Sequence, residues 1–190
     1  MSLKKSIVLF GIKHSGKSTQ AKALSSYYKT SFFDTDDVIK SQTSLSPREF
    51  YNKNGKEAFI KAELNACDYV SSIMKQKPII IATGGGICDN PDAISHLREK
   101  STFIYLDVDF KIACNRILSE ISFDKNLIKD MNTVPSYIAK KNPHTKDDVR
   151  NIFLEFYNER TKKYLSFVDT IIDQKNLSIR QITDKIINII

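Results

Sequence analysis

A phosphate-binding pattern near the start of the chain is the first place where residue types and spacing predict chemistry. Residues 11–19 read Gly-Ile-Lys-His-Ser-Gly-Lys-Ser-Thr and match G-x-x-x-x-G-K-[ST] at every fixed position. Residues 7–10 predict a buried strand before this loop, and residues 19–24 predict the start of a helix after it. Backbone N–H groups of such a loop, together with the helix N-terminus, bind phosphate oxygens. The sequence therefore predicts a nucleoside triphosphate site.

Individual residues of this loop have separate predicted roles. Lys17, expected to be exposed when the site is empty, would contact the β- and γ-phosphates of ATP, and the Ser18 hydroxyl would bind Mg²⁺. The candidate nucleotide-binding residues of the loop are Gly11, Ser15, Gly16, Lys17, Ser18 and Thr19.

Two carboxylates follow the next apolar segment. The phenylalanines at 32–33 predict a short strand that leads into Asp34 and Asp36. Ligands of open parallel sheets bind at the carboxyl ends of strands, so both acids should face the phosphates. Residues two apart on an extended chain also point the same way. The alternative is that one acid of this segment, with Asp37 the best candidate, only caps the helix that begins near residues 37–39.

Three glycines end a further predicted strand. Residues 78–82 are apolar and are followed by Thr83, Gly84, Gly85 and Gly86. Consecutive glycines weaken structure, and close approach of a ligand to the backbone is the usual reason for tolerating them. A flexible loop is the alternative.

The remaining pattern predicts an α/β fold. Strands are expected at 102–107 and 167–172, and Gly55 should interrupt the chain before a helix that ends near Met74. Asp107 and Asp109 formally resemble a Walker B magnesium site, but capping of the helix from Phe110 is the favoured interpretation. Five strands alternating with helices predict a parallel sheet with right-handed crossovers.

Composition and charge argue against several classes of partner. The chain has 29 Lys and Arg against 22 Asp and Glu, giving a net charge of +7. The basic residues are scattered, so nucleic acid is not the expected partner. No apolar run approaches the ~20 residues of a membrane helix. With no signal peptide and three distant cysteines, we expect a cytoplasmic, monomeric single domain over 1–190 that binds a small molecule.

With these segments placed, the sequence resembles the shikimate kinase family of P-loop proteins related to nucleoside-monophosphate kinases. The resemblance covers nearly the whole chain. It rests on the P-loop, Phe-Asp-Thr-Asp at 33–36, Gly55, Phe59 with Glu63, Ala-Thr-Gly-Gly-Gly at 82–86 and Asn-Glu-Arg-Thr-Lys-Lys-Tyr at 158–164. It implies a three-layer fold with strand order 2-3-1-4-5, a substrate-binding segment at 34–63 and a lid at 117–146.

The resemblance also implies an activity and a set of roles. The protein would transfer the γ-phosphoryl group of ATP to a hydroxyl of a small carboxylated polyol, with shikimate as the leading acceptor. Asp34 would hold Mg²⁺ through water, and Asp36 would accept the proton of the attacking hydroxyl. Amides of Gly84, Gly85 and Gly86 would contact the acceptor, Arg160 would pair with its carboxylate, and Arg116 would lie against adenine.

Two positions depart from the family pattern. The family has an arginine directly after the phenylalanine that matches Phe59, and this arginine binds the substrate carboxylate. Here the residue is Ile60, and Lys56 replaces a usual glutamate after the glycine. Losing a bidentate arginine is a large chemical change. Arg48 and Lys61 are candidate replacements.

The lid also lacks the family's Arg-Pro-Leu-Leu element, whose arginine contacts the phosphates. The cations that this region offers instead are Lys140, Lys141, Lys146 and Arg150. Two alternatives to a shikimate acceptor therefore stay open: a kinase for another small acceptor such as a sugar acid, and a non-catalytic nucleotide-binding regulatory protein. The paired aspartates favour a kinase, because a simple binder needs only one acid near Mg²⁺.

Overall fold

A parallel sheet organises the structure, a computed structural model that describes residues 2–190. The strands are β1 (Ser6–Phe10), β2 (Phe32–Asp34), β3 (Ile80–Ala82), β4 (Ser101–Asp107), β5 (Phe123–Asp124), β6 (Leu127–Ile128) and β7 (Thr170–Asp173). The α-helices are α1 (Lys17–Tyr28), α2 (Thr35–Thr43), α3 (Pro47–Met74), α4 (Pro91–Arg98), α5 (Phe110–Glu120), α6 (Ser136–Ala139), α7 (Lys146–Leu165) and α8 (Ile179–Ile189).

The main sheet has five strands in the order β2-β3-β1-β4-β7, and each pair is parallel. With the short β5–β6 pair left out of the count, this is the predicted order 2-3-1-4-5, so the predicted fold class is confirmed. All five residues of β1 are buried, as expected for a central strand with helices on both faces.

Alternate residues of the central strands face two separate apolar clusters. Ile7 and Leu9 pack with α1 and α8 on one face, whereas Val8 and Phe10 pack with α3, α4, α5 and α7 on the other. This period of two follows from strand geometry. The layers are therefore helix, sheet and helix, and the carboxyl ends of the strands share one edge.

Helix α3 has a defined start and an internal break. Ser46 and Glu49 form a capping box, and Pro47 occupies the first turn, where its missing N–H costs nothing. Gly55 interrupts the helix with φ 82° and ψ −178°, a conformation that favours glycine. The predicted break at Gly55 is confirmed.

The expected geometry of the paired acids is wrong in one respect. Helix α2 begins at Thr35, so Asp36 lies in its first turn and not on an extended strand. Asp34 is the N-cap residue, and its side chain accepts from the Asp36 N–H at 3.1 Å. The capping alternative therefore applies to Asp34 and not to Asp37. Asp34 and Asp36 are near each other because of a helix start, which also favours negative charge.

Other boundaries differ by smaller amounts. Asp109 caps α5 by accepting from the N–H groups of Lys111 and Ile112, as the sequence predicted, and Asp107 ends β4. Residues 121–145 contain the β5–β6 hairpin, a 3-10 turn at Met131–Thr133 and the short helix α6. Within residues 2–190, no helix combines the length and the apolar character needed to cross a bilayer.

Candidate active site

The P-loop follows β1 and depends on glycine at two positions. Gly11 has φ 156°, and a β-carbon there would lie 2.4 Å from Ser15 Oγ and 3.1 Å from Leu106 O. Gly16 has φ 86° and forms the N-cap of α1. Both conformations are costly for other residues. The chain thus turns back on itself directly in front of the α1 N-terminus, which is where an anion would bind.

Lys17 is buried, contrary to the expected exposure. Its Nζ donates to the carbonyl oxygens of Gly11 and Ile12, each at 2.9 Å. Burial lowers the pKa of this ammonium to about 8, although the Asp36 and Asp34 carboxylates act in the opposite direction. The lysine is held inside the loop by the carbonyl groups, so its position does not depend on a bound phosphate.

Ser18 and Asp34 bring two oxygens together at the edge of the loop. The Ser18 hydroxyl donates to Asp34 Oδ2 at 2.5 Å. A hydroxyl beside a carboxylate is a ligand set that suits Mg²⁺, which usually takes its other ligands from waters and substrate phosphates. These two residues fit the predicted magnesium site.

A cavity of about 510 Å³ opens beside the P-loop. Its lining includes Gly16, Lys17, Ser18 and Thr19, and also Ile112, Arg116, Asn176 and Leu177. Arg116 Nη1 donates to the His14 carbonyl at 2.5 Å, so it sits directly over the loop. Gly11 and Ser15 are buried within the loop and do not line the cavity. The cavity thus brings residues of the P-loop and α1 together with Arg116 of α5.

The glycine segment after β3 lies against both the P-loop and the acids. A β-carbon on Gly84 would lie 2.8 Å from Asp36 Oδ1, and one on Gly85 would lie 2.8 Å from the backbone nitrogen of Lys13. Side chains at these two positions would collide with the site. The glycines therefore allow close approach between two segments of the protein, whereas the predicted approach of a ligand to this backbone stays a prediction.

Tyr164 contacts both the P-loop and the glycine segment. Its hydroxyl lies 3.2 Å from Gly11 O and 3.1 Å from Gly85 O, and its ring is fully buried. The Gly84 N–H in turn donates to Thr35 Oγ1 at 2.9 Å. These hydrogen bonds fix the distance between the P-loop, the glycine segment and the start of α2.

Asp36 is a largely buried carboxyl group with a raised pKa. Burial, together with the charge of Asp34, raises the pKa of its carboxyl to about 6, while Lys17 acts to lower it. A carboxylate with a pKa closer to neutrality is a stronger base than an ordinary aspartate. Asp36 therefore has the electrostatic environment of a general base beside the phosphate loop.

Glu63 and Asn90 are site residues to which the sequence assigned no role. The Asn90 amide donates to Glu63 Oε2 at 3.0 Å and to Ile60 O at 2.9 Å, and both side chains are buried. A β-carbon on Gly84 would lie 3.4 Å from Glu63 Oε1, so this acid borders the glycine segment. Burial raises the pKa of Glu63 to about 7, against the effect of the Asn90 hydrogen bond.

A sequence signal for Glu63 existed. It occupies the same helical stripe as Ala66, Cys67 and Val70, spaced three, four and seven residues later. A charged residue on an apolar stripe is the exception that indicates function.

Arg160 of α7 contacts the glycine segment from the other side. Its Nη1 donates to Gly85 O at 3.0 Å, and its Nη2 lies 3.7 Å from Asp89 Oδ2. The guanidinium carbon lies 5.0 Å from the Tyr137 ring centroid and 5.4 Å from that of Phe156. Among residues 2–190, the buried Nε of Arg160 has no hydrogen-bond partner. A planar cation with an unused donor thus lies beside a pair of contacting aromatic rings, next to the glycines.

The candidate replacements for the family arginine have other contacts. Ile60 is half-buried on α3, and Lys61 is exposed. Arg48 Nη2 donates to Val134 O at 2.7 Å, which links the start of α3 to the segment between α5 and α7. Asp36, Gly84, Gly85, Gly86 and Arg160 lie near one another, and their role in acceptor binding stays a prediction, whereas Arg48 contacts Val134.

Comparisons with known proteins agree with this geometry. A family model described as shikimate kinase matches residues 13–190. The chain belongs to the shikimate kinase family. A shikimate kinase of Lactococcus lactis is 33% identical over 142 residues, which cover 74% of this chain and 83% of that protein. One from Francisella tularensis subsp. holarctica is 27% identical over 183 residues, 96% of this chain and 92% of that protein.

The fold of the family is also the fold of this chain. The structure of a shikimate kinase from Acinetobacter baumannii in complex with shikimate has a TM-score of 0.76. It is 19% identical, and the alignment covers 97% of this chain and 92% of that one. Membership in the shikimate kinase family makes the protein a kinase, a phosphotransferase, and implies ATP as the phosphoryl donor.

Proposed function

We propose that this kinase phosphorylates a hydroxyl of shikimate, with MgATP as donor. The observation that carries the proposal is that the candidate acceptor residues lie directly beside the P-loop, which would bind the nucleotide. Gly84 lies against Asp36, and the next residue, Gly85, lies against Lys13 of the P-loop. An acceptor hydroxyl beside Asp36 would thus be next to the end of a nucleotide whose phosphates occupy the loop.

The residues of this chain divide the work of phosphoryl transfer. Asp36 takes the proton of the acceptor hydroxyl as the oxygen forms its bond to the γ-phosphorus, and the bond from that phosphorus to the β–γ bridging oxygen breaks to release ADP. Lys17 and the α1 N-terminus face the negative charge of the phosphates. Ser18 and Asp34 would hold Mg²⁺, which supplies further positive charge to the phosphate oxygens when bound.

Arg160 is proposed to bind the acceptor carboxylate. Its buried Nε lacks a partner in residues 2–190, and an unpaired buried donor is costly. A carboxylate on this edge of the guanidinium would satisfy that donor with a charge-assisted bond. The amides of Gly84, Gly85 and Gly86 are proposed to contact the rest of the acceptor. Segments 34–63 and 117–146 would then form the acceptor-binding region and the lid.

A second candidate acceptor class rests on Ile60. With an isoleucine where the family has an arginine, Arg160 is the one guanidinium that we assign to the acceptor carboxylate. A pocket with one cation is less selective for a particular carboxylate, and a sugar acid is the natural competitor. We also propose that the protein is active as a monomer.

An ADP-release assay tests the acceptor. Purified protein with MgATP should release ADP fastest with shikimate, more slowly with gluconate and least with a neutral polyol such as inositol. The Asp36→Asn variant is the matched control and should remove the acceptor-dependent rate. Equal background rates with all three acceptors would contradict a shikimate acceptor, and a preference for gluconate would establish the second class.

A further inference from the structure

Four cations near the segment between α5 and α7, two within it and two in α7, contact residues outside the P-loop. Residues 121–145 contain no arginine. Lys140 contacts the Tyr51 hydroxyl, Lys141 pairs with Glu155, Arg150 pairs with Asp147, and Lys146 lies over the Phe123 ring. Charge on the transferring phosphoryl group nevertheless requires cations beyond a single lysine. The structure offers another source within the P-loop itself.

Lys13 lies at the junction of the two halves of the site. It is an exposed residue of the loop between Gly11 and Gly16, whose backbone surrounds phosphate in proteins with this motif. Its backbone nitrogen is the atom that a β-carbon on Gly85 would approach to 2.8 Å. Lys13 also contributes a positive charge near Asp36. A side chain that starts here is close to where the phosphoryl group must pass from nucleotide to acceptor.

The Lys13 ammonium is paired with a residue that nucleotide phosphates can displace. Its Nζ lies 2.8 Å from Glu120 Oε2, and 44% of the Lys13 side chain and 43% of the Glu120 side chain are exposed. His14 Nε2 lies 3.1 Å from the same oxygen. Half-exposed ion pairs contribute little stability, so a polyanion competes well for this lysine. Glu120 is the last residue of α5, where the segment between α5 and α7 begins.

We propose that Lys13 is a second P-loop lysine that contacts the γ-phosphoryl group, and that Glu120 holds its ammonium when nucleotide is absent. Lys17 is tied to the carbonyls of Gly11 and Ile12, so it occupies a fixed position. Lys13 has a flexible stem and one exchangeable partner, which allows it to follow the phosphoryl group. This inference rests on the proposed use of ATP but not on the identity of the acceptor.

Calorimetric titration without acceptor tests the proposal directly. Wild type, Lys13→Met and Lys13→Arg are titrated with MgATP and with MgADP, and Lys22→Met, an exposed lysine of α1, is the matched control. Loss of one charge-assisted contact to the γ-phosphate should weaken MgATP binding about tenfold in Lys13→Met. MgADP binding should change less than about twofold, because ADP lacks that phosphate. Lys13→Arg should restore most of the MgATP affinity.

The partner residue provides a second test. Glu120→Gln should tighten MgATP binding in the wild-type background and should leave it unchanged in the Lys13→Met background. Equal weakening of MgATP and MgADP by Lys13→Met, or an effect no larger than that of Lys22→Met, would overturn the proposal. An effect of Glu120→Gln that persists without Lys13 would refute the holding role. Failure of wild type to bind MgATP would instead refute the proposed function.

Discussion

The nucleotide half and the acceptor half of the site are built in different ways. The nucleotide half comes from consecutive residues, 11–19, and its lysine is anchored by backbone carbonyls of the same loop. The acceptor half that we propose combines Asp36, Glu63, the glycines at 84–86 and Arg160, which lie on different elements. A local motif fixes the first half, whereas packing of the whole domain fixes the second.

This difference fits one of the chain's departures from its family, the isoleucine at position 60. A P-loop tolerates little change, because Gly11 has no room for a β-carbon and the turn must place its N–H groups inward. The acceptor half has side chains as its main contacts, and one of them, the arginine expected at position 60, is an isoleucine. Side-chain contacts can be exchanged one at a time, so specificity changes there without loss of the phosphoryl-transfer machinery.

The largest effect is expected from Lys17→Met, which breaks the nucleotide half. Turnover should fall by about a thousandfold or more, because the lysine stabilises charge that develops during transfer. Methionine has a similar length, so the circular dichroism spectrum should remain that of the wild type, although the bonds to Gly11 O and Ile12 O are lost. Steady-state kinetics check this, and turnover within about tenfold of wild type would refute the P-loop role.

Substitutions of Asp36 and Asp34 should have different effects, because the first acid acts on the acceptor and the second on Mg²⁺. Asp36→Asn should lower turnover by about a hundredfold or more with little change in ATP affinity, because the proton acceptor is lost. Asp34→Asn should mainly raise the Mg²⁺ concentration needed for half-maximal rate, since Asp34 lies 2.5 Å from the Ser18 hydroxyl. Titrations of Mg²⁺ and ATP distinguish the variants. If both show the same phenotype, the two acids do not have separate roles.

Ile60→Arg restores the family's arginine in the acceptor half and should strengthen shikimate binding. Glu63 lies one helical turn further along α3, so the new guanidinium has a carboxylate partner that holds it near the glycine segment. A second charge-assisted contact should lower the Michaelis constant for shikimate about tenfold. Ile60→Met introduces an unbranched side chain without a charge and should leave the Michaelis constant for shikimate unchanged. A higher Michaelis constant in Ile60→Arg would mean that another residue already binds the carboxylate.

The smallest expected effect is a shift in the pH dependence of kcat/KM for the acceptor. Asp36 accepts a proton only when deprotonated, so kcat/KM for the acceptor should fall as pH drops through the Asp36 pKa of about 6. Because the charge of Asp34 raises the pKa of Asp36, Asp34→Asn at saturating Mg²⁺ should move this acidic limb to lower pH. Asp37→Asn should move it less. If the acidic side of the pH profile stays in place or moves to higher pH in Asp34→Asn, the charge of Asp34 does not raise the pKa of Asp36.

Much of the fold was predictable because apolar periodicity determines it. The central strands, the interruption at Gly55 and the sheet order are confirmed. The last strand was placed too early, since Phe167 packs against Phe10 with ring centroids 5.1 Å apart and the strand begins at Thr170. The β5–β6 hairpin was missed because its strands have two residues each and Lys125 turns with φ 53° without a glycine.

The candidate site was predictable where it is contiguous and only partly elsewhere. Gly84, Gly85 and Gly86 were identified because a glycine run is a strong local signal. Asn90 and Tyr137 carry no such signal, since their contacts with Glu63 and Arg160 depend on tertiary packing. The geometry of Asp34 and Asp36 was misjudged, because an aspartate at the end of a strand is also a favourable helix cap.

The most direct test of carboxylate binding by Arg160 compares kcat/KM for shikimate and for its uncharged methyl ester, in wild type and in Arg160→Gln. Wild type should favour shikimate in kcat/KM by about tenfold or more, because one charge-assisted contact is lost with the ester. Arg160→Gln should remove that preference, whereas Arg180→Gln, a side chain 93% exposed on α8, should keep it. A preference that survives in Arg160→Gln, or is absent in wild type, would contradict an acceptor half centred on Arg160.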